Sequence, residues 1–119
     1  MSFTFCQEMK IENPALPFDL LEPWGDLPDD GARLVAELYR ELRTDHILHG
    51  VEARAIAMRR DCDDVLFRIG GRPEQFAVVH LTWSGTVDPN KSWPSTELFT
   101  DIEDWRTKCM VPDHEDYTA

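Results

Sequence analysis

The sequence predicts an α+β fold, a compact two-layer α-β-β-β-α sandwich with a three-stranded antiparallel meander and a Pro-rich N-terminal arm. Three observations predict it. Apolar residues recur at helical spacing across 34–42. Three stretches between 51 and 83 carry strand periodicity and are separated by short turn signals. A second helix-start signature stands at Thr100–Glu103. With 119 residues the chain fits one domain that can bury a core without staples. Its expected divisions are an arm over 1–30 packed on the core, the α-β-β-β-α core over 31–111, and a solvated acidic tail over 112–119.

In the arm, Pro14, Pro17, Pro23 and Pro28 are interleaved with Phe18, Leu20, Leu21 and Trp24. That is too Pro-broken for a helix and too apolar for a disordered tail, so an ordered arm laid over the core is expected. Its first ten residues read as a short edge strand or a frayed end. Asp29 or Asp30 can accept from free backbone N–H groups and open a helix. Leu34, Val35, Leu38, Tyr39 and Leu42 form its apolar stripe against Arg33, Glu37, Arg40, Glu41 and Arg43, and Gly50 stops it beyond His49.

Val51, Ala53, Ala55 and Ala57 alternate with Glu52, Arg54, Ile56 and Met58, the pattern of a strand buried on one side. Arg60–Asp63 makes a turn, and Val65, Phe67 and Ile69 alternate through a second strand. Gly70-Gly71-Arg72-Pro73 is a further turn, after which Phe76–Trp83 is the most apolar strand and the central one. Trp83 and Trp105 fall on expected core faces. Beyond a polar loop holding Trp93 and Pro94, Thr100-Asp-Ile-Glu103 has capping-box spacing; Ile102, Trp105 and Cys109 line one stripe, and Pro112 is expected to end the helix.

The net charge of −11 is the strongest bulk signal, with acids in excess towards both ends and the middle, 51–75, balanced. Such a surface disfavours nucleic acid and anionic membranes, and it attracts a basic protein partner. No apolar run approaches the roughly 20 residues that span a bilayer, and Met1–Glu8 lacks the pattern of a secretory signal, so a cytoplasmic location is expected. Cys6, Cys62 and Cys109 are odd in number and include no Cys-x-x-Cys pair, which argues against a disulfide framework.

His80 is the candidate around which chemistry could gather. Strand alternation places it with Thr82 on one sheet face, where it could act as a general base with Asp64 or His46 orienting it. The commoner use of such a ring is a half-buried hydrogen bond. No cofactor and no metal centre are expected; the histidines that could combine on one are His46 and His49, three apart, with His80 from the sheet. Asp61, Asp63 and Asp64 lack calcium-loop spacing and read as partners for turn N–H groups and nearby arginines. Cys62 lies between arginines that would lower its thiol pKa and aspartates that would raise it, so it is not read as a nucleophile. Trp93 and Trp24, in Pro-flanked loops, are candidate binding residues together with His80.

The run Arg59-Arg-Asp-Cys-Asp-Asp-Val-Leu-Phe67, then Ala77-Val-Val-His-Leu-Thr-Trp-Ser84 and Trp93-Pro94, resembles a group of small bacterial proteins of unassigned function. They share an Asp-Asp-x-Leu-Phe turn-strand and a His-Leu-Thr-Trp strand. The likeness covers roughly residues 34–110. It implies a stand-alone bacterial domain and brings no catalytic residues with it.

Two functions follow as expectations. The first is a non-enzymatic protein-interaction module that binds a basic partner, an immunity-type inhibitor being one instance. The alternative is a small enzyme or ligand-binding domain that uses His80. A homodimer formed across an exposed sheet edge is compatible with either.

Overall fold

A computed structural model describes residues 16–90 and 93–119. Nothing in it bears on the reading of the first ten residues, which lie outside the described ones. The α+β class holds. The sheet has five strands, β1 (Trp24–Asp26), β2 (Ala53–Arg59), β3 (Asp64–Ile69), β4 (Phe76–His80) and β5 (Ser95–Phe99). They lie in the order β1-β2-β3-β4-β5 with every pair antiparallel. The expected meander is thus β2-β3-β4, and an edge strand has been added on each side. One helix, α1 (Ala32–Glu41), crosses between β1 and β2. A C-terminal helical run comprises α2 (Ile102–Trp105), a π-helical turn (Arg106–Met110) and α3 (Val111–Thr118). Among the described residues, no helix is long and apolar enough to cross a membrane.

Strand alternation sorts the apolar side chains into two buried clusters. Val65, Phe67, Ala77, Val79 and Leu81 meet Leu34, Leu38 and Leu42 of α1 and the segment after it. Leu66, Phe76, Val78 and Phe99 point the other way, to Trp105 and Met110, with Phe18, Leu20 and Leu21 of the arm packed beside them. Helical structure therefore covers both faces of the sheet. Of the arm expected over 1–30, Leu16, Phe18, Leu20 and Leu21 are partly buried against this second cluster and Trp24 is buried within it, while residues 1–15 lie outside the described ones.

In β2 the simple alternation fails. The register shifts between Ala55 and Ala57, so Ala55, Ile56 and Ala57 are all buried and the strand serves both clusters. A bulge inserts one extra residue into a strand and turns every later side chain to the other face.

The helices also depart from expectation at their ends. Asp29 and Asp30 do accept, from the N–H groups of Gly31 and Ala32 at 2.8 and 3.0 Å. Gly31 itself is the N-cap, at φ 79°. α1 stops at Glu41, short of the expected run to His49, because Leu42 is extended. At the second helix the cap is Asp101, which accepts from the Asp104 N–H at 2.8 Å, and Asp104 reaches back to accept from the Thr100 N–H at 3.0 Å. The capping box is Asp101–Asp104, one residue beyond the expected pair. Pro112 does not end the helix; 112–118 is helical, with Pro112 and residues 115–119 exposed and Asp113 and His114 partly buried. The π turn immediately before Pro112 loosens the ladder at the place where a proline lacks its N–H and crowds the preceding carbonyl. Helix α3 then docks on the arm, the Trp24 Nε1–H donating to Asp113 at 2.9 Å and His114 Nδ1 meeting the Glu22 carbonyl at 2.6 Å.

Gly31 is required twice over. Its φ is in the left-handed region, and a Cβ there would stand 2.7 Å from the Ala55 Cβ and 2.9 Å from Leu27 Cδ1. Gly50 has the same conformation, φ 80°, with open space around it. Gly31→Ala is expected to cost about 2–3 kcal/mol and Gly50→Ala about 1 kcal/mol. Urea denaturation of the two variants checks this, and equal losses would remove the packing part of the argument.

Candidate functional site

His80 ends β4, and the β3–β4 register places it directly opposite Asp64. Its Nδ1 lies 2.7 Å from Asp64 Oδ1, with the His80 side chain 45% exposed. Asp64 opens β3, and Cys62 stands two residues earlier, in the turn between β2 and β3. One donor atom from each of Cys62, Asp64 and His80 lies within 4.8 Å of the others. Cys62 also lines an open groove of about 810 Å³ with Leu27, Met58 and Arg60.

A charged network borders the cluster. Arg59 grips Asp61 with two hydrogen bonds of 2.8 Å, as the surplus of arginines near this turn suggests, and it reaches Asp113 at 3.4 Å. Burial pushes the Cys62 thiol pKa up, and the Asp64 and Asp61 carboxylates push it further; the Asp64 backbone N–H and Arg59 only partly oppose this. A thiol held in its protonated form is a poor nucleophile, which agrees with the expectation for Cys62. Cys109, on the π turn, donates to Asp113 at 3.5 Å, and its pKa is likewise raised, first by burial and then by Asp113.

Of the residues expected around His80, the structure brings only Asp64 to it. Thr82 lies beyond the end of β4 and donates its hydroxyl to Ser84 at 3.0 Å. His46 is buried beside β5: its Nδ1 accepts from the Leu48 N–H at 3.0 Å, and its Nε2 faces the Pro94 carbonyl at 3.1 Å. Both ring nitrogens are thereby engaged in holding two chain segments together. His49 borders a separate hollow with Tyr39 and Val51. His46, His49 and His80 therefore do not converge. Trp24 is a core residue, 2% exposed, whereas Trp93 is 39% exposed.

A second arrangement was not foreseen. The long loop between β4 and β5 is fastened to α1 and its continuation. Glu41, 1% exposed, accepts from the Thr82 N–H at 3.0 and 3.1 Å and from the Trp83 N–H at 2.9 Å. Glu37, also buried, accepts from the Gly85 N–H at 3.0 Å and from Arg40 at 3.2 Å. Arg43 donates to the Pro89 carbonyl, and His46 holds Pro94. Burial, then the neighbouring Glu37, raises the Glu41 pKa, while the hydrogen bond from Glu41 holds that of Glu37 down. The two neighbouring carboxyls thus have their pKa values pushed apart, that of Glu41 up and that of Glu37 down.

Trp83, expected in the core, lies outside it. β4 ends at His80, so alternation no longer governs position 83, and the residue sits at φ 59°. Its ring is 40% exposed, with the Arg33 guanidinium 5.5 Å from the ring centroid. The sequence signal that was missed is the pair Glu37 and Glu41, two acids one turn apart on α1, which accept from N–H groups of the loop between β4 and β5.

No family model matches the chain, and neither a curated protein nor a solved structure matches it.

Proposed function

We propose that the protein is a small acidic interaction module that binds a basic protein partner through the loop between β4 and β5. The observation that carries this reading is Trp83, a half-exposed aromatic held in a left-handed conformation by the buried carboxylate of Glu41. Non-glycine residues are rarely kept at positive φ, and where they are, the surroundings enforce it at a cost of order 1–3 kcal/mol. Here that cost orients an aromatic side chain towards solvent, close in sequence to Val87 at 46% and Trp93 at 39% exposure. Rigid, half-exposed aromatic residues are the usual anchors of protein interfaces. A net charge of −11 steers a basic partner onto such a surface. Together with the likeness of the 59–67 and 77–84 runs to small bacterial proteins, this favours an inhibitor of a basic bacterial protein as the specific instance.

The test is affinity capture from the native host's lysate with the wild-type chain and with a Trp83→Ser, Trp93→Ser variant of unchanged circular dichroism. A protein captured in stoichiometric amount by the first and bound at least ten-fold more weakly by the second, a loss of about 1.4 kcal/mol, is the expected result. Equal capture by both removes these tryptophans from the interface. Sedimentation velocity on the same pair establishes whether the partner is a second copy.

A second reading rests on one specific contact. The 2.7 Å bond from His80 Nδ1 to Asp64 fixes the ring and leaves Nε2 as its outward nitrogen, the arrangement a small enzyme or ligand-binding domain would use.

A further inference from the structure

We propose that Cys62, Asp64 and His80 form a three-residue binding site for a divalent transition metal of the Zn(II) class. The inference deepens the second reading above and is independent of the tryptophan loop. Three features of the chain converge on it. Cys62-x-Asp64 supplies a sulfur and a carboxylate two residues apart where the β2–β3 turn leads into β3. The β3–β4 register sets His80 directly across from Asp64. The three donor atoms already lie within 4.8 Å of one another.

The donor set selects the ion. Ca(II) and Mg(II) take oxygen ligands and discriminate against sulfur. A thiolate with an imidazole and one carboxylate suits a borderline-soft cation of tetrahedral preference. Zn–S bonds of about 2.3 Å and Zn–N and Zn–O bonds of about 2.0–2.2 Å place tetrahedral ligand atoms about 3.4–3.6 Å apart. From separations within 4.8 Å the sulfur has to close in by about 1.4 Å at most, and the 2.7 Å Asp64–His80 hydrogen bond gives way to metal ligation as that contact opens by about 0.7–0.9 Å. Both movements are within the rotamer freedom of side chains at a partly open surface.

The asymmetry of the site is informative. Three protein donors leave one tetrahedral position, and with the His80 side chain 45% exposed that position faces solvent. Structural zinc sites close all four positions, whereas reactive ones keep one for water or for an incoming ligand. Binding expels the Cys62 thiol proton to solvent, and the sulfur then carries the charge that the cation neutralises.

Co(II), a spectroscopic stand-in for Zn(II), supplies the test on the full chain kept reduced. One equivalent is expected to produce a sulfur-to-cobalt charge-transfer band with intense tetrahedral d–d absorption, both abolished by stoichiometric Zn(II). The charge-transfer band should vanish in Cys62→Ser, and affinity should fall at least ~10-fold in His80→Gln and Asp64→Asn. A cobalt spectrum without the sulfur band, or one that survives in Cys62→Ser, overturns the site. If Cys62→Ser does not fold, alkylation of the wild-type chain decides the matter. Protection of Cys62 from iodoacetamide by Zn(II), mapped on the peptide, supports the assignment, and unchanged alkylation rejects it.

Discussion

Trp105→Ala is expected to destabilise the protein by about 3–5 kcal/mol, the usual cost of emptying a large buried aromatic site, while Trp105→Phe costs far less. Trp105 is 0% exposed and is the hub of the cluster on its side of the sheet. Trp24 meets it edge-on at 5.2 Å and Phe18 stacks against it at 6.3 Å. Its removal would take away the surface on which the arm rests, at a large fraction of the 5–15 kcal/mol by which small domains are stable. The contrast with phenylalanine arises because the Trp105 Nε1–H is buried with no hydrogen-bond partner among the described residues. Phenylalanine loses part of the ring but also removes a donor whose burial costs about 1–3 kcal/mol. Urea unfolding of both variants measures the difference. A Phe variant as unstable as the Ala variant would mean that the indole nitrogen is satisfied in solution.

Glu41→Ala should cost about 2–4 kcal/mol, because it strands the N–H groups of Thr82 and Trp83 and leaves a hollow under the loop. Glu41→Gln is expected to behave oppositely with pH. A carboxyl whose folded pKa is raised contributes stability in full below its unfolded value, near 4.5, and loses it as pH rises through the folded value. Glu37, with its pKa lowered, contributes above 4.5 and loses that contribution as pH falls through its folded value. Neutral glutamine mimics the protonated Glu41 and still presents one carbonyl to the loop. It should flatten the decline in stability above pH 4.5 and leave the acid limb, which belongs to Glu37. Denaturation of wild type and both variants from roughly pH 2 to 8 reads both limbs. Faster amide exchange at Thr82 and Trp83 in Glu41→Ala would locate the effect in the loop. A wild-type profile no steeper than that of the Gln variant would show that the folded Glu41 pKa is not raised.

The parts of this fold that were legible are those where one local rule operates alone. The stripe Leu34–Leu38–Leu42 specifies α1 through its one apolar face, and Val65–Phe67–Ile69 specifies β3 because its register runs unbroken, with Leu66 alone buried on the opposite face. β1 was not legible: three residues between prolines carry no period, and it exists because Trp24–Asp26 pairs with Ala57–Arg59 far away in sequence. The bulge at Ala55–Ala57 was equally hidden, since alanine fits either face of a sheet. Pro112 misled because a proline is a stop only where the helix before it is regular.

The candidate cluster was half legible. Folding the strands about Arg72 sets 64 against 80, so the Asp64–His80 pair follows from the turn signal Gly70–Pro73 once the register is taken seriously. Cys62, in the turn before β3, is brought to the pair by the path of the turn, which no local period specifies. What led away from it was the number of histidines: His46 and His49 looked available, and nothing local shows that His46 is consumed in joining Leu48 to Pro94. The fastening of Trp83 depends on tertiary hydrogen bonds alone.

The π turn at Arg106–Met110 has a geometric effect beyond tolerating a proline. An α-helix turns about 100° per residue, so the extra residue held by a π turn sets everything after it back by about that angle. Asp113 reaches Trp24, Arg59 and Cys109 from this displaced position. A chain shorter by one residue in this stretch would keep its helix but swing Asp113 away from all three. The clasp between the two ends of the protein is thus encoded in a residue count as much as in residue identity, and an insertion or deletion here would do what no conservative substitution at Asp113 could.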